Sequence, residues 1–299
     1  MRKAAWVGMI GSAIGSVFLA LCGGVDLAVG SPRMPFTQWT PPAGRYRVAV
    51  LGDTQKGLTN LVRLMEALRK EEPALYLHTG DLVSDNDDAH YRLAAHVLSR
   101  CGGPYPFLVA PGNHDVKRDP SRFERWIGPR ERVVVAGRLA FVVLDNSSGA
   151  PPDTAALDRL LAPHEAAVLL MHVPPFDAKG EPFPEYRPFL DWLGRSPRVK
   201  YVLSGHVHAY VRRPVGSAIA IANGVGGDYE SWRHDQKVHA TILDVDGTAI
   251  TDRPLVIEPA HAIRENLEHL AVAHVPPWLA WGGALVLGGA AVLCGRKRR

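Results

Sequence analysis

Five short segments of this sequence place metal-binding or acid–base side chains directly after a run of apolar residues. Each run has the length of a buried β-strand, so each polar segment is expected in the loop that follows a strand. Because loops at the carboxyl ends of parallel strands meet in one crevice, these side chains are expected to lie close together. The segments are Gly52-Asp53-Thr54-Gln55, Gly80-Asp81, Gly112-Asn113-His114-Asp115, Met171-His172 and Gly205-His206-Val207-His208.

Together these loops offer two carboxylates, an amide and three or four imidazoles, and no thiolate. Such a donor set suits Mn, Fe, Zn or Mg and does not suit a structural cysteine–zinc site. A carboxylate has two oxygens, so one aspartate can bridge two ions about 3.5–4 Å apart. The residue types therefore predict a site for two divalent metal ions.

The elements that position these loops alternate between short apolar runs and longer amphipathic ones. Helical spacing predicts helices at 58–70, 89–100, 153–161 and 188–193. The apolar runs predict strands at 47–51, 74–78, 106–110, 132–135, 139–144, 166–171, 201–203, 218–222, 238–243 and 249–253. This order predicts one α/β domain, a mixed β-sheet sandwich flanked by helices.

Composition excludes several classes of protein. The chain has 299 residues, of which 46% are apolar and 21% charged, so it can bury a core. Its net charge of +4 comes from the two ends, and residues 31–275 are close to neutral. Nucleic-acid binding is therefore not expected from the charge. Cys101 has no cysteine partner in the central part of the chain, so no disulfide framework is expected there.

Both ends carry an apolar segment beside basic residues. Arg2 and Lys3 precede an uncharged run, the order of a secretory signal or an uncleaved anchor. Residues 278–294 are apolar and precede a basic tail, which favours a transmembrane segment with a cytoplasmic end. A buried core helix or a processed sorting tail are the alternatives. We expect a membrane-anchored protein whose central domain is extracytoplasmic, in the periplasm or at the cell surface.

The order of the five segments resembles the calcineurin-like metallophosphoesterase superfamily over Tyr46 to Gly227. That family's pattern is Asp-x-His, Gly-Asp, Gly-Asn-His-Asp/Glu, a lone His and Gly-His-x-His. The resemblance implies a metallophosphoesterase-like fold, two divalent ions (Mn, Fe, Zn or Mg) and a phosphate-ester substrate. It also implies hydrolysis by a hydroxide formed from water at the two-metal site.

The resemblance also assigns roles to individual residues. It implies that Asp81 bridges the two ions and that His114 stabilises the transition state or protonates the leaving oxygen. It implies ligands Asp53 and His208 for the first ion and Asn113, His172 and His206 for the second.

Two residues depart from the pattern. Gln55 stands where the family more often has His, and its amide oxygen is a weaker ligand than imidazole. Ser84 stands where purple acid phosphatases have Tyr, so iron–tyrosinate chemistry is not expected. Gln55 keeps an alternative function open, a membrane-tethered binding protein with a degenerate, non-catalytic metal site. Lys117 and Arg118 are candidates for binding a substrate phosphate, with an ordinary solvated loop as the alternative.

These observations divide the chain into six parts. They are a signal peptide or N-terminal anchor (1–30), a linker (31–44), the metallophosphoesterase domain (45–258), a helical connector (259–275), a C-terminal transmembrane segment (276–295) and a basic tail (296–299).

Overall fold

The computed structural model describes residues 34, 38–101, 103, 105–227 and 237–260. The expected segments 1–30, 276–295 and 296–299, and the connector 259–275 beyond its first two residues, lie outside the described residues. Among the helices of the described part, none is both long enough and apolar enough to cross a bilayer. The membrane segments therefore stay predictions from the sequence.

The described residues form eleven strands in two sheets. The strands are β1 (Tyr46–Leu51), β2 (Leu75–His78), β3 (Phe107–Val109), β4 (Arg132–Ala136), β5 (Leu139–Val143), β6 (Ala166–Leu170), β7 (Val199–Ser204), β8 (Tyr210–Val215), β9 (Ala218–Asn223), β10 (Val238–Asp246) and β11 (Ala249–Ile257). One sheet has the order β11-β10-β1-β2-β3, and the other has the order β4-β5-β6-β7-β9-β8.

Five α-helices are formed by the described residues, and they cover the outer faces of the sheets. They are α1 (Leu58–Arg69), α2 (Asp88–Arg100), α3 (Pro120–Trp126), α4 (Thr154–Leu161) and α5 (Arg187–Gly194). Asp87, Asp119 and Asp153 cap the amino termini of α2, α3 and α4, because each side chain accepts hydrogen bonds from backbone N–H groups of the first turn. Each cap satisfies donors that have no partner within the helix.

Three apolar layers hold the sandwich together. Alternate residues of β1 point to opposite faces, so Val48 and Val50 pack between the sheets while Leu51 packs under α1 and α2. Phe141 and Val168 of the second sheet complete the central layer. A third cluster lies between the second sheet and the helices α4 and α5.

Parallel strands form the centre of both sheets. In the first sheet β1, β2 and β3 are parallel, and in the second β5, β6, β7 and β9 are parallel. Antiparallel strands occupy the other positions, including the hairpin of β4 and β5 that turns at Gly137. The predicted mixed sandwich flanked by helices is therefore confirmed.

Besides the single 3₁₀ turn Pro184–Tyr186, one α-helix and one strand were not predicted from the sequence. Helix α3 is only seven residues long, too short for a clear apolar period, although Asp119 followed by Pro120 is a helix-start signal. Strand β8 was missed because Arg212, Arg213 and Pro214 interrupt its apolar pattern. Such residues are tolerated because β8 is an edge strand.

Part of the expected linker, 31–44, packs on the domain. Met34 is buried in the cluster beside Trp126, and its backbone N–H donates to the Trp126 carbonyl. The Trp39 ring lies edge-on to Tyr46 and Phe141, with centroid distances of 5.9 and 5.6 Å. These residues are attached to the sandwich, so the segment is not a free tether along its described length.

A buried amide joins the two sheets. Asn223, at the end of β9, donates from Nδ2 to the Val50 carbonyl of β1 at 3.1 Å. Its Oδ1 accepts from the Thr241 hydroxyl of β10 at 2.7 Å. One fully buried side chain thus satisfies polar groups on strands of the opposite sheet.

We expect Asn223→Ala to lower the free energy of unfolding by about 2 kcal/mol or more, because it removes the acceptor of a buried hydroxyl and a donor to a buried carbonyl. Urea unfolding followed by circular dichroism measures the change. Thr241→Val removes only one of the two hydrogen bonds and should cost less. Equal unfolding midpoints for wild type and Asn223→Ala would contradict this role.

Candidate functional site

The predicted site residues come together at the carboxyl ends of the parallel strands. Asp53 and Gln55 follow β1, Asp81 follows β2, Asn113 and His114 follow β3, His172 follows β6, and His206 and His208 follow β7. Backbone hydrogen bonds hold the loops in place: the Asp53 N–H donates to the Gly80 carbonyl, and the Gly205 N–H donates to the His172 carbonyl. The loops of both sheets thus meet at one edge of the sandwich, as predicted from strand order.

Three ligand atoms form a small triangle. Asn113 Oδ1 lies 3.0 Å from His172 Nε2 and 3.1 Å from His206 Nδ1, and the two ring nitrogens are 3.2 Å apart. Neighbouring ligands of an octahedral ion with bonds of about 2.1 Å are separated by about 3.0 Å. The triangle therefore has the dimensions of one face of a metal coordination sphere, and the donor set fits a divalent ion.

His172 is oriented for this geometry. Its Nδ1 lies 2.8 Å from the Thr79 carbonyl, which is an acceptor only, so the proton sits on Nδ1. Nε2 then faces Asn113 and Asp81, whose Oδ2 is 3.5 Å away. The hydrogen bond from one ring nitrogen thus presents the other as a ligand.

Asp81 lies at the centre of the cluster. Ligand atoms of Asp53, Asp81 and His172 lie within 4.8 Å of one another. Asp81 Oδ1 accepts from the His114 backbone N–H at 2.9 Å, and Oδ2 accepts from Gln55 Nε2 at 2.7 Å. Asp81 thus lies beside both Asp53 and His172, and its bridging role stays a prediction.

Asp53 and His208 form the other side of the cluster. Asp53 Oδ1 lies 3.5 Å from His208 Nε2, and both carboxylate oxygens accept from the His206 backbone N–H at 3.0 Å. Asp53 is fully buried, whereas His206 is exposed. The cluster therefore opens to solvent on the side of His206.

Gln55 points into the site with its amide nitrogen towards Asp81. Rotation of the amide by half a turn exchanges its nitrogen and oxygen, and only the oxygen is a metal ligand. As the structure stands, Gln55 hydrogen-bonds the central carboxylate. Its ligand role stays a prediction.

Strained backbone is concentrated in this cluster. Seven non-glycine residues of the described part have positive φ, and five of them are candidate ligands: Asp53, Gln55, Asp81, His206 and His208. Such conformations cost of order 1 kcal/mol each and persist at functional sites, where the surroundings enforce them. No pattern in the sequence predicted this strain.

Two glycines are required by close approach. A Cβ on Gly112 would lie 2.1 Å from the Asp81 backbone nitrogen, and a Cβ on Gly205 would lie 2.3 Å from Asp53 Oδ2. Any larger residue would push a candidate ligand out of place.

The electrostatic field of the cluster favours a cation. Burial lowers the pKa of His172, but the charges of Asp81 and Asp53 outweigh burial and raise that pKa to about 9. Burial raises the pKa of Asp81, but the charge and hydrogen bond of His172 outweigh it and hold that pKa below its usual range. A proton on His172 thus occupies the negative field that a metal ion would neutralise.

Asp115 belongs to the Gly-Asn-His-Asp segment, and no role was predicted for it from the sequence. It is fully buried and accepts from the backbone N–H groups of Gly112 and Val83, at 3.0 and 3.1 Å. Burial and the nearby charge of Asp81 raise its pKa to about 7. Asp115 holds together the two loops that carry Asn113 and Asp81; its place inside the Gly-Asn-His-Asp segment was the available signal.

His114, Lys117 and Arg118 lie in the loop after β3. His114 Nδ1 is 2.8 Å from the Ser84 carbonyl, so Ser84 orients this ring through its backbone. Lys117 and Arg118 are exposed. Their proposed contact with a substrate phosphate stays a prediction.

Comparisons with known proteins agree with this geometry. The family model of the calcineurin-like phosphoesterases matches residues 46–210. The 3',5'-cyclic adenosine monophosphate phosphodiesterase CpdA of Escherichia coli K12 is 30% identical over 165 residues, which cover 48% of this chain and 58% of the relative. The same figures hold for CpdA of Escherichia coli O157:H7. The chain thus spans a little over half the length of the curated relatives it matches.

Two solved structures share the fold. A purple acid phosphatase from yellow lupin (Lupinus luteus) has a TM-score of 0.58 at 14% identity, covering 73% of this chain and 54% of its own. GAP50 of Plasmodium, described as the anchor in the inner membrane complex, has a TM-score of 0.54 at 14% identity, covering 78% and 96%. The family model spans more than half of the chain, and the loops it includes form one cluster. This chain belongs to the calcineurin-like phosphoesterase family.

Proposed function

We propose that this protein hydrolyses phosphate esters with the help of two divalent metal ions. The observation that supports this most directly is the triangle of Asn113, His172 and His206 ligand atoms beside the central carboxylate of Asp81. A purely structural ion would need no acid–base group nearby, and His114 stands at the edge of the cluster. The family assignment supports the same reaction.

Each side chain has a role in this proposal. Asp53 and His208 would hold one ion, Asn113, His172 and His206 the other, and Asp81 would bind both. When bound, the ions would lower the pKa of a water nucleophile and neutralise charge on the phosphoryl oxygens. The backbone N–H of His206 keeps Asp53 in position, and the Thr79 carbonyl keeps His172 in its ligand tautomer.

His114 would supply the proton for the leaving oxygen. Its Nδ1 is occupied by the Ser84 carbonyl, so a protonated ring has Nε2–H available to donate. General-acid catalysis of this kind contributes about a hundredfold or more. Because His114 is not among the proposed ligands, its loss should affect turnover more than metal binding.

Phosphodiesters are the first class of substrate that we propose. The Escherichia coli relatives are named as phosphodiesterases of 3',5'-cyclic adenosine monophosphate, and their match includes about half of this chain. The activity assays should therefore test that cyclic nucleotide together with model phosphate monoesters and diesters. The exposed side of the cluster at His206 is where such a substrate would approach.

We also propose that the domain is tethered to a membrane and lies outside the cytoplasm. The support is the basic–apolar order at the start of the chain and the apolar run with a basic tail at its end. The packing of Met34 and Trp39 on the sandwich would then hold the domain close to an N-terminal anchor.

Two variants should separate metal binding from catalysis. Asp81→Asn should lower bound metal and abolish hydrolysis, because both ions lose a charged ligand. His114→Ala should keep the metal content and lose about a hundredfold or more in kcat. Metal analysis together with assays in Mn²⁺, Zn²⁺ and Mg²⁺ provides the measurement. A wild-type protein that binds metal but hydrolyses none of the esters would favour the non-catalytic alternative.

Replacing Gln55 should reveal whether it is a ligand. Gln55→His should raise the affinity for Zn²⁺, because imidazole binds this ion better than a neutral amide does, and Gln55→Ala should lower it. Competition titrations of the three proteins with a chromophoric chelator measure the affinities. Superimposable curves would show that Gln55 does not bind the metal.

Reporter fusions should establish the topology. A phosphatase reporter fused after Gly30 or Pro259 should be active outside the cytoplasm, and a tag after Arg299 should stay inside unless the tail is processed. If the reporter is found in the cytoplasm for both fusions, the proposed arrangement is wrong.

A further inference from the structure

Asn146 uses its whole side-chain amide to hold the loop that carries His172. It lies just after β5 and is 2% exposed. Its Oδ1 accepts from the backbone N–H groups of His172 and Val173, at 2.8 and 3.1 Å. Its Nδ2 donates to the Val173 carbonyl at 2.7 Å and to the Tyr186 hydroxyl at 3.1 Å.

These contacts begin where the ladder of the sheet ends. The pairing of β5 with β6 reaches Val143 and Leu170, and the Leu144 N–H donates to the Leu170 carbonyl at 2.9 Å. Beyond that point the backbone of one strand no longer pairs with the other. The side chain of Asn146 takes over as the partner of the His172 and Val173 backbone.

His172 is thereby held at three points. Asn146 fixes its backbone N–H, and the Gly205 N–H fixes its carbonyl at 2.9 Å. The Thr79 carbonyl fixes the ring through Nδ1. With backbone and ring both held, the position of Nε2 relative to Asn113 is constrained.

We propose that Asn146 is a positioning residue that sets the metal affinity of the site containing His172. This inference rests on the proposed metal-dependent function. Without Asn146, two buried N–H groups lose their acceptor and the His172 loop can shift, so that Nε2 leaves the triangle with Asn113 and His206. Groups that orient metal ligands typically contribute 10- to 100-fold in affinity.

Tyr186 provides a matched control. Its hydroxyl accepts from Asn146 and donates to the Gly149 carbonyl at 3.2 Å, on the side away from His172. Tyr186→Phe therefore removes one hydrogen bond of Asn146 and leaves both contacts with His172 and Val173 in place. If Asn146 only supported packing, Asn146→Ala and Tyr186→Phe would have similar effects on metal affinity.

The test is a titration of the full-length, metal-free protein with Mn²⁺, in which the electron paramagnetic resonance signal of free Mn²⁺ reports two dissociation constants. For Asn146→Ala we expect one of the two dissociation constants to rise about 10- to 100-fold and the other to change little. Tyr186→Phe should match the wild type. Thermal unfolding of each metal-free protein measures any general loss of stability.

Each outcome decides the question. Equal Mn²⁺ curves for wild type and Asn146→Ala would overturn the inference, and so would an equal rise in both variants. If Asn146→Ala does not fold, Asn146→Ser replaces it: the serine oxygen is one bond too short to reach both N–H groups, so wild-type affinity in that variant also overturns the inference. A wild type without bound Mn²⁺ and without hydrolysis would instead refute the proposed function itself.

Discussion

The crowding of carboxylate, amide and imidazole groups at one point is the constraint around which this structure is organised. Asn113, His172 and His206 bring ligand atoms to within 3.2 Å of one another, beside the buried carboxylates of Asp53 and Asp81. Buried charges are stable only when they are paired with opposite charge or coordinate a metal. In the protein alone a protonated His172 offsets part of the negative charge, and a divalent ion would do so more completely.

The fold holds this cluster by placing rigid strands directly behind it. Seven parallel strands divided between two sheets end at the same edge of the sandwich, so each ligand is only a few residues from a hydrogen-bonded ladder. The loops adopt left-handed backbone at five candidate ligands. Glycines at 112 and 205 let one loop approach the carboxylate of another. Packing of the three apolar layers supplies the stability that this strain requires.

Buried amide and carboxylate side chains hydrogen-bond strands and loops that do not pair through their backbones. Asn223 joins the two sheets, Asp115 joins the loops after β2 and β3, and Asn146 joins the loops after β5 and β6. Each of these side chains connects segments that are distant in sequence. The loops of the site are therefore held by buried polar side chains as well as by backbone pairing.

The sequence by itself determined the α/β class, most strand and helix positions and the set of loops that form the cluster. It did so because buried strands and amphipathic helices have different apolar periods, and because Gly-Asp, Gly-Asn-His-Asp and Gly-His-x-His follow the strands directly. The same reasoning missed α3 and β8, whose short or charged sequences have no such period.

Only the tertiary structure decided which atoms face each other. The contact of Gln55 with Asp81, the role of Ser84 in orienting His114 and the hold of Asn146 on His172 join residues 26, 30 and 26 positions apart. Periodicity describes which face of an element is buried, but it contains no information on how loops from different strands pack together. Those contacts are fixed by the pairing of neighbouring strands within each sheet, β1 with β2, β2 with β3 and β5 with β6, which depends on the packing of the whole core.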